Sequence, residues 1–210
     1  GAAGFGRECL DVLEAMALTV AHVEGVGVVD DGPSELNLER LGARGVSYLG
    51  TLAEWLASET LPRQYVLGVG SPAVRRRLVV RLEDAGAQPF TAVHPSATFG
   101  ACVDVGEGVV VCAGVAISTN VRLGRHVHVN PNATIGHDAD LRDFVSVNPA
   151  AVISGEVIVG EGSLVGAAAT VLQGLSVGQG SVLGAACLVT KDVPGGVVVK
   201  GVPGQWTEYD

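Results

Sequence analysis

Residues 133–165 read ATIGHDADLRDFVSVNPAAVISGEVIVGEGSLV, a stretch in which a large aliphatic residue returns at every sixth position. The same period continues without a slip from Val93 to Val189, where all seventeen positions hold Val, Ile, Leu or Phe. A small or β-branched residue usually stands two positions earlier, as Ala133 does before Ile135. Because side chains alternate along a strand, both residues point to the same face, so each hexad buries one large and one small side chain.

Glycines follow many of these aliphatic positions, among them Gly100 and Gly136, and we expect them to supply the bend that each hexad needs. Three hexads then close one triangular coil. The period therefore predicts a parallel β-helix over residues 91–210, with the strands of successive coils stacked about 4.8 Å apart. An ordinary β-sandwich would not keep a strict period of six through so many turns.

Residues 1–90 show the alternating pattern of a small α/β domain, which we expect to be Rossmann-like. The opening GAAGFGRE resembles a glycine turn that enters a helix and would offer backbone N–H groups to a phosphate. Since no strand precedes it, we expect the first strand of this domain upstream of Gly1. The periodicity predicts helices over 8–20, 52–58 and 72–85, and strands within VEGVGVVDD (23–31) and QYVLGVGS (64–71).

The composition narrows the classes of partner. A net charge of −9 and a pI near 4.9 argue against nucleic acid and anionic membrane surfaces, because both attract clustered Lys and Arg. No run approaches the roughly 20 apolar residues of a membrane span, and the N-terminal residues lack the features of a signal peptide. The four cysteines have no CxxC spacing, so we expect free thiols, no metal site and a reducing, cytoplasmic location.

Five motifs together carry a resemblance to a known family. They are GAAGFGRE at 1–8, VDD at 29–31, VHPSATFG at 93–100, GHD at 136–138 and VTKDVPGGVVVKGVPG at 189–204. With the hexads, they resemble the left-handed β-helix acyltransferases that acetylate nucleotide-linked amino sugars and that include sialic acid O-acetyltransferase-like members. The resemblance implies a homotrimer with acetyl-CoA in the groove between neighbouring prisms, and an N-terminal domain that holds the UDP or dTDP of an amino sugar.

The resemblance also implies that the GHD motif is catalytic. His137 would act as the general base for an attacking amine, and Asp138 would orient the imidazole or raise its basicity. The alternative interpretation of this pair is a polar corner of the repeat. Gly155 stands three hexads after His137, and from this spacing we expect room beside the imidazole for an acyl group.

Further site residues follow from the resemblance. On the acceptor side, we predict Gly4 and Gly6 near phosphate, Asp30 and Asp31 near the base or ribose, Gly70 and Ser71 near the nucleotide, and Asn130 near the amine. The residues predicted to border the coenzyme are Ser146, Gly155, Gly166, Ala167, Lys191, Lys200 and Gly201. The alternatives are plain strand-to-helix turns for the N-terminal residues, a turn asparagine for Asn130 and solvated surface positions for the lysines.

The sequence departs from the family pattern at Ser146, where these enzymes commonly carry a second histidine. The serine side chain is shorter and could donate only a shorter hydrogen bond. Neither the identity of the acyl group nor the rate of transfer therefore follows from the resemblance. The other histidines, His22, His94, His126 and His128, have no metal-ligand spacing, and we predict structural or exposed positions for them.

Three functions therefore compete. The first is acetyl-CoA-dependent N-acetylation of a nucleotide-linked amino sugar. The second is O-acylation of a hydroxyl of a sugar or sialic acid by the same base, and the third is a non-catalytic trimeric scaffold.

Overall fold

The computed structural model describes residues 1–19, 23–58 and 63–208. Strand β1 pairs in parallel with β2, and β3 with β4, which gives the N-terminal part the predicted α/β character. Its elements in chain order are α1 (Gly4–Ala17), β1 (Gly27–Val28), α2 (Glu35–Gly42), β2 (Ser47–Tyr48), α3 (Leu52–Ala57), β3 (Gln64–Tyr65), α4 (Pro72–Asp84) and β4 (Gln88–Pro89).

Local sequence explains where three of these helices begin. Ser34, Thr51 and Ser71 each accept a hydrogen bond from a backbone N–H three residues later, which satisfies one free donor of the first turn. Pro72 adds a fixed φ at the start of α4. Helix α2 is not predicted from the sequence pattern, because this helix is short and buries only Leu41.

The β-helix consists of short strands at intervals of six residues. Strand β22 (Val197–Lys200) continues the stack, and β23 (Gln205–Glu208) pairs with it in antiparallel orientation. The repeating strands are β5 (Ala92–Val93), β6 (Thr98–Phe99), β7 (Asp104–Val105), β8 (Val110–Val111), β9 (Ala116–Ile117), β10 (Arg122–Leu123), β11 (His128–Val129), β12 (Thr134–Ile135), β13 (Asp140–Leu141), β14 (Ser146–Val147), β15 (Val152–Ile153), β16 (Ile158–Val159), β17 (Leu164–Val165), β18 (Thr170–Val171), β19 (Ser176–Val177), β20 (Val182–Leu183) and β21 (Leu188–Val189).

These strands form the three faces of a triangular prism. Sheet I contains β5, β8, β11, β14, β17, β20, β22 and β23; sheet II contains β6, β9, β12, β15, β18 and β21; sheet III contains β7, β10, β13, β16 and β19. From β5 to β18, each strand pairs in parallel with the strand one coil, or 18 residues, later, as His128 does with Ser146. The architecture is a left-handed parallel β-helix, which confirms the predicted fold.

The interior of the prism is the aliphatic ladder that the period predicts. Ile135, Leu141, Val147, Ile153 and Val159 are each 0% exposed. A fully buried Val, Ile or Leu side chain contributes roughly 1.5–3 kcal/mol. The regular period thus places the main stabilising surface on the inner face of every coil.

The glycines after the aliphatic positions have a different role from the predicted one. A Cβ on Gly100 would lie 2.6 Å from the backbone N of Thr119, and one on Gly136 would lie 2.5 Å from a backbone N of the next coil. These glycines therefore permit stacked coils to approach closely. The bend comes two residues later, where residues such as Cys102 and Asp138 adopt the left-handed conformation with φ of 57° and 58°.

Two edges of the prism matter for the site. Edge A is the row of turns between sheets I and II, at residues 130–132, 148–150, 166–168 and 184–186. Edge B is the row of turns between sheets II and III, at residues 136–138, 154–156, 172–174 and 190–192.

The N-terminal part packs against sheet I. The side chains of Ala92, Val110, His128 and Ser146 point outward from this sheet, yet they are only 0–2% exposed. Helix α1 covers the first two of them with an apolar cluster that includes Val12. Sheet I is therefore largely an internal surface along these coils.

Helix α4 attaches to the prism through charged side chains. Arg76 forms an ion pair with Glu161 at 2.5 Å, and Glu83 forms one with Arg125. These contacts bring the loop before α4 against sheet I.

Candidate active site

His137 and Asp138 occupy the turn of edge B that follows β12. The Nδ1 atom of His137 lies 2.6 Å from Oδ2 of Asp138, and both side chains are about half exposed. The two residues of the GHD motif therefore touch, which their adjacency in sequence does not guarantee.

Asn120, one coil earlier on the same edge, supports this pair. Its Nδ2 donates a hydrogen bond to Oδ1 of Asp138 at 3.0 Å. The hydrogen bonds from Asn120 and then from His137 lower the pKa of the Asp138 carboxyl, so the carboxylate is ionised at neutral pH. An ionised carboxylate accepts the Nδ1–H of the ring and leaves Nε2 with a free lone pair, the form of imidazole that takes up a proton.

The imidazole of His137 lies against the backbone of Gly155, one coil later. A Cβ on Gly155 would be 2.5 Å from both Cε1 and Nε2 of the ring. The spacing predicts space for an acyl group here, but the imidazole itself takes that space. Gly155 therefore sets the position of the ring.

A second group of residues lines a pocket of about 260 Å³ between sheet I, the start of α1 and the loop after β3. Gly70, Asn130 and Ser146 are three predicted site residues that meet there, whereas His137 does not line the pocket. His137 and the pocket lie on different parts of the prism. The lining residues are Phe5, Glu8, Gly70, His128, Asn130, Ser146, Asn148 and Pro149.

Arg75 of α4 connects the Gly70 loop to sheet I. Its fully buried guanidinium donates to Oγ of Ser146 at 2.9 Å, to the carbonyl of Phe144 at 2.7 Å and to the carbonyl of Gly70 at 3.0 Å. The Ser146 hydroxyl in turn donates to the Gly70 carbonyl at 3.2 Å. Burial lowers the pKa of Arg75 to about 10, so the group stays charged at neutral pH. Ser146 thus joins the N-terminal part to the prism.

The glycine turn is the first turn of α1, which begins at Gly4, earlier than predicted. The N-cap residue Ala3 makes no side-chain hydrogen bond to the helix, so this turn has no side-chain acceptor at its cap. No atom lies within 4 Å of a Cβ placed on Gly4, whereas Gly6 packs closely on Gly68. The open first turn suits a phosphate, while Gly6 permits close packing.

Asp30 and Asp31 accept hydrogen bonds within the chain. Asp30 accepts from the N–H of Ala2 at 2.7 Å and of Gly32 at 2.9 Å. Burial acts to raise the pKa of Asp30, but these two hydrogen bonds outweigh it and the pKa is lowered. Asp31 accepts from the N–H of Leu52 at 2.7 Å, at the start of α3. Both carboxylates also border a largely apolar cavity of about 460 Å³ lined by α1, β1 and β3.

Apart from Ser146, which lies on sheet I, the residues predicted to border the coenzyme lie on or near edges A and B. Lys191 lies on edge B, three coils beyond His137, with Nζ 4.4 Å from the centroid of the Trp206 ring. Lys200 is the last residue of β22. This strand pairs with β20 of sheet I and follows the last turn of edge A in the chain. The two lysines of the sequence therefore place positive charge at the same end of the prism. The other predicted contacts on or just beyond edge A are Gly166, Ala167 and Gly201.

The described residues contain no group of three or more His, Cys, Asp or Glu side chains placed to hold a metal ion. All four cysteines are free thiols, and Cys102 is exposed. Within residues 1–19, 23–58 and 63–208, none of the helices has both the length and the apolar character needed to cross a membrane.

The sequence analysis missed two residues that shape these sites. Asn120 stands 18 residues before Asp138, the coil spacing that also identifies Gly155, so the period could have identified it. Arg75 has no such signal, because only the packing of α4 on sheet I brings it to Ser146. The prediction for His22 lies outside the described residues.

Comparison with known families agrees with this architecture. The PglD N-terminal domain family matches residues 1–82, and the hexapeptide repeat of succinyl-transferase matches residues 156–191. A GDP-perosamine N-acetyltransferase from Escherichia coli O157:H7 is 28% identical over 145 residues. The matched region is 69% of this chain but only 63% of that curated relative, which is less than two thirds of its length.

Solved structures match over nearly the whole chain. PerB from Caulobacter crescentus, in complex with CoA and GDP-perosamine, is 29% identical with a TM-score of 0.87, covering 99% of this chain and 94% of that one. The acetyltransferase domain of PglB from Neisseria gonorrhoeae FA1090, in complex with acetyl coenzyme A, is 28% identical with a TM-score of 0.86, covering 98% and 95%. This protein is therefore homologous to the sugar N-acetyltransferases with a left-handed hexapeptide-repeat β-helix, as the resemblance in its sequence predicts.

Proposed function

We propose that this protein transfers the acetyl group of acetyl-CoA to the amino group of a nucleotide-linked amino sugar, with His137 as the general base. The observation that carries the proposal is the 2.6 Å contact between His137 Nδ1 and Asp138 Oδ2, which leaves Nε2 free to accept a proton. The complexes of PerB with CoA and of PglB with acetyl coenzyme A support acetyl-CoA as the donor.

In this reaction the amine nitrogen attacks the thioester carbonyl carbon while Nε2 of His137 removes a proton from the amine. The C–N bond forms, and the carbonyl π electrons move onto oxygen. The C–S bond then breaks as the carbonyl reforms, and the CoA thiolate leaves and takes up a proton from the imidazolium. The Asp138 carboxylate stabilises the imidazolium between these steps.

We place the nucleotide of the acceptor on the N-terminal part. The first turn of α1 has no side-chain cap, and its free N–H groups favour a diphosphate. The sequence analysis predicts UDP or dTDP. Because two relatives are named for GDP-perosamine, GDP-linked amino sugars belong in the same test.

We further propose that the site forms between copies of the chain in a homotrimer. Asn130 of the pocket lies on edge A, whereas His137 lies on edge B, beyond strand β12, and does not line the pocket of its own chain. A neighbouring copy whose edge B faces the pocket would bring a base to the amine.

The test is to incubate the protein with acetyl-CoA and a panel of UDP-, dTDP- and GDP-linked 3-amino and 4-amino sugars, and to follow release of the CoA thiol. We expect turnover with one amino sugar, and loss of about 100-fold or more in kcat for His137→Ala. His94→Ala is the matched control, because His94 lies at the start of the β-helix and its Nδ1 contacts only Ser96.

Two outcomes would count against the proposal. Equal turnover by wild type and His137→Ala would remove His137 as the base. Acetylation of a sugar hydroxyl, with no acetylation of any amine, would show that the protein is an O-acyltransferase and not an N-acetyltransferase.

A further inference from the structure

His128 is a buried polar side chain without a hydrogen-bond partner. Its side chain points outward from sheet I beneath the N-terminal part and is only 1% exposed. Within the described part of the chain, neither Nδ1 nor Nε2 has a hydrogen-bond partner. Buried polar groups are nearly always hydrogen-bonded, so an unpaired imidazole that lines a pocket indicates a partner from outside the chain.

The environment keeps this imidazole neutral. The Phe5 ring lies against it, with the centroids 4.7 Å apart. Burial, followed by the positive charge of Arg75 and the electrostatic interaction with His126, lowers the pKa of His128 well below its usual range. A neutral imidazole has one N–H donor and one nitrogen acceptor, which match a hydroxyl group that both accepts and donates.

The two other buried polar side chains of the pocket already form hydrogen bonds within the chain. The Ser146 hydroxyl accepts from Arg75 and donates to the Gly70 carbonyl. Nδ2 of Asn130 donates to the carbonyl of Val147 at 2.8 Å. Among the described residues, His128 is therefore the buried side chain of the pocket with no partner at either polar atom.

The position of the pocket suggests which part of a substrate enters it. Phe5 and Glu8 belong to the first turns of α1, next to the open turn that we assign to the diphosphate. The volume of about 260 Å³ corresponds to the liquid volume of roughly nine water molecules, enough for one sugar ring. A sugar attached to a diphosphate at the start of α1 would reach this pocket.

We propose that the pocket receives the hexose ring of the nucleotide-linked sugar and that His128 is a substrate-binding residue, whose imidazole forms a hydrogen bond with a hydroxyl of that ring. This inference rests on the proposed function, because the ligand is its amino-sugar acceptor. It changes the sequence-based expectation of a structural role for His128.

His126 supplies a matched control. It is also fully buried, and its ring nitrogens have no hydrogen-bond partner within the described residues. Its ring, however, stacks between Tyr65 and Phe144 and does not line the pocket. A general effect of removing a buried imidazole would appear in both variants, whereas a loss of sugar binding would appear only at His128.

The experiment compares His128→Val and His126→Phe with the wild type. Valine is suited to this position, because Val110 occupies the same outward position one coil earlier. For His128→Val we expect KM for the amino sugar to rise about tenfold, with KM for acetyl-CoA unchanged, as for the loss of one neutral hydrogen bond. We expect His126→Phe to leave both constants unchanged.

Binding measured without catalysis separates this inference from the proposed function. Calorimetry with each nucleotide sugar alone should show about tenfold weaker binding to His128→Val. In protein labelled with 13C at histidine Cε1, the sugar should shift the His128 signal and leave the His126 signal in place. Equal sugar affinity in wild type and His128→Val, or an unshifted His128 signal, would overturn the role of His128.

The remaining outcomes are also decisive. Binding that depends on His128 without transfer to any amine would support the pocket and reject N-acetylation. No binding of any panel sugar to the wild type would overturn both proposals.

Discussion

At the scale of the residue, the position of the His137 imidazole depends on one residue a coil earlier and one residue a coil later. Asn120 hydrogen-bonds the Asp138 carboxylate, and the absence of a Cβ at Gly155 makes room for the imidazole. These two neighbours fix the position of the imidazole that we propose as the base. The next turn on edge B, with Gly155 and Glu156, has the same backbone geometry but no imidazole.

His126 makes the stability of the protein depend on pH. Its ring lies 6.1 Å from the Tyr65 ring and 5.4 Å from the Phe144 ring. Burial, and next the charge of Arg125, lowers the pKa of His126 to about 4. The other charged groups that act on it are Glu83, Arg75 and Asp143.

We predict that replacing His126 reduces this pH dependence. An unfolded histidine titrates near 6.5, so between about pH 6.5 and 4 the unfolded chain binds a proton that the folded chain does not. Stability is therefore complete above pH 6.5 and falls as the pH drops through that window. At pH 5, after allowance for solvent screening, the loss from His126 is about 1 kcal/mol.

Urea unfolding at pH 7.5 and pH 5.0 tests this prediction. His126→Phe should lose less stability between the two values than the wild type does. Phenylalanine suits the backbone, because Phe144 occupies the same turn position one coil later, with φ of 60°. An equal loss in wild type and variant would show that His126 does not cause the dependence.

At the scale of the element, edge B positions the base through the stacking of one turn on the next. Gly155→Ala would place a Cβ 2.5 Å from Cε1 and Nε2 of His137 and push the ring away. We predict a fall in kcat of about tenfold or more, since a misplacement of about 1 Å can cost up to 100-fold. The melting temperature should change little, because the atoms that move belong to a half-exposed side chain.

Gly174→Ala is the control for this prediction. Gly174 lies on the same edge one coil later, and a Cβ there meets no atom within 4 Å. Its φ of 74° adds backbone strain, but alanine already occupies the left-handed position at Ala150 and Ala168. An unchanged kcat in Gly155→Ala, or an equal loss in Gly174→Ala, would contradict the role assigned to Gly155.

Helix α4 links the two parts of the protein by a buried cation. The carbonyl and hydroxyl groups that accept hydrogen bonds from the Arg75 guanidinium belong to Gly70, to Ser146 of sheet I and to Phe144, two residues before it. Because no carboxylate among the described residues accepts a hydrogen bond from this buried charge, these dipoles must offset its desolvation. The geometry of the pocket therefore depends on how α4 docks on the prism.

At the scale of the whole molecule, His137 and the pocket that we propose for the acceptor lie on different sides of one chain. His137 lies on edge B, and the pocket lies on sheet I beneath the N-terminal part. Exposed aliphatic side chains on the other two sheets, Val152 and Ile158, leave apolar surface for contact with another copy. This arrangement favours a site shared between subunits.

Mixed assemblies test the shared site. His137→Ala lacks the base, and Asn148→Trp blocks the pocket, so each alone should be inactive. If one copy supplies His137 and its neighbour supplies the pocket, equal co-expression of the two should restore about a quarter of the sites. Activity that stays at the level of the single variants would show that each chain carries a complete site. Co-expressing each variant with itself is the control.

Much of this protein follows from the sequence by itself. A period of six determines the coils, the inner aliphatic ladder and the two edges, because parallel strands in register repeat every 18 residues. The same arithmetic connects Asp138 with Asn120 and His137 with Gly155. The role of the glycines was predicted incorrectly, because composition does not distinguish a bend from a close approach of two coils.

Only the tertiary structure decided the pocket on sheet I. The contact of Arg75 with Ser146 joins residues 71 positions apart, and Phe5 reaches His128 from the first turn of α1. No period relates these positions, because they meet through the packing of a non-repeating part on a repeating one. That packing turns His128, an outward residue of an ordinary coil, into a buried imidazole with no hydrogen-bond partner in the described part of the chain.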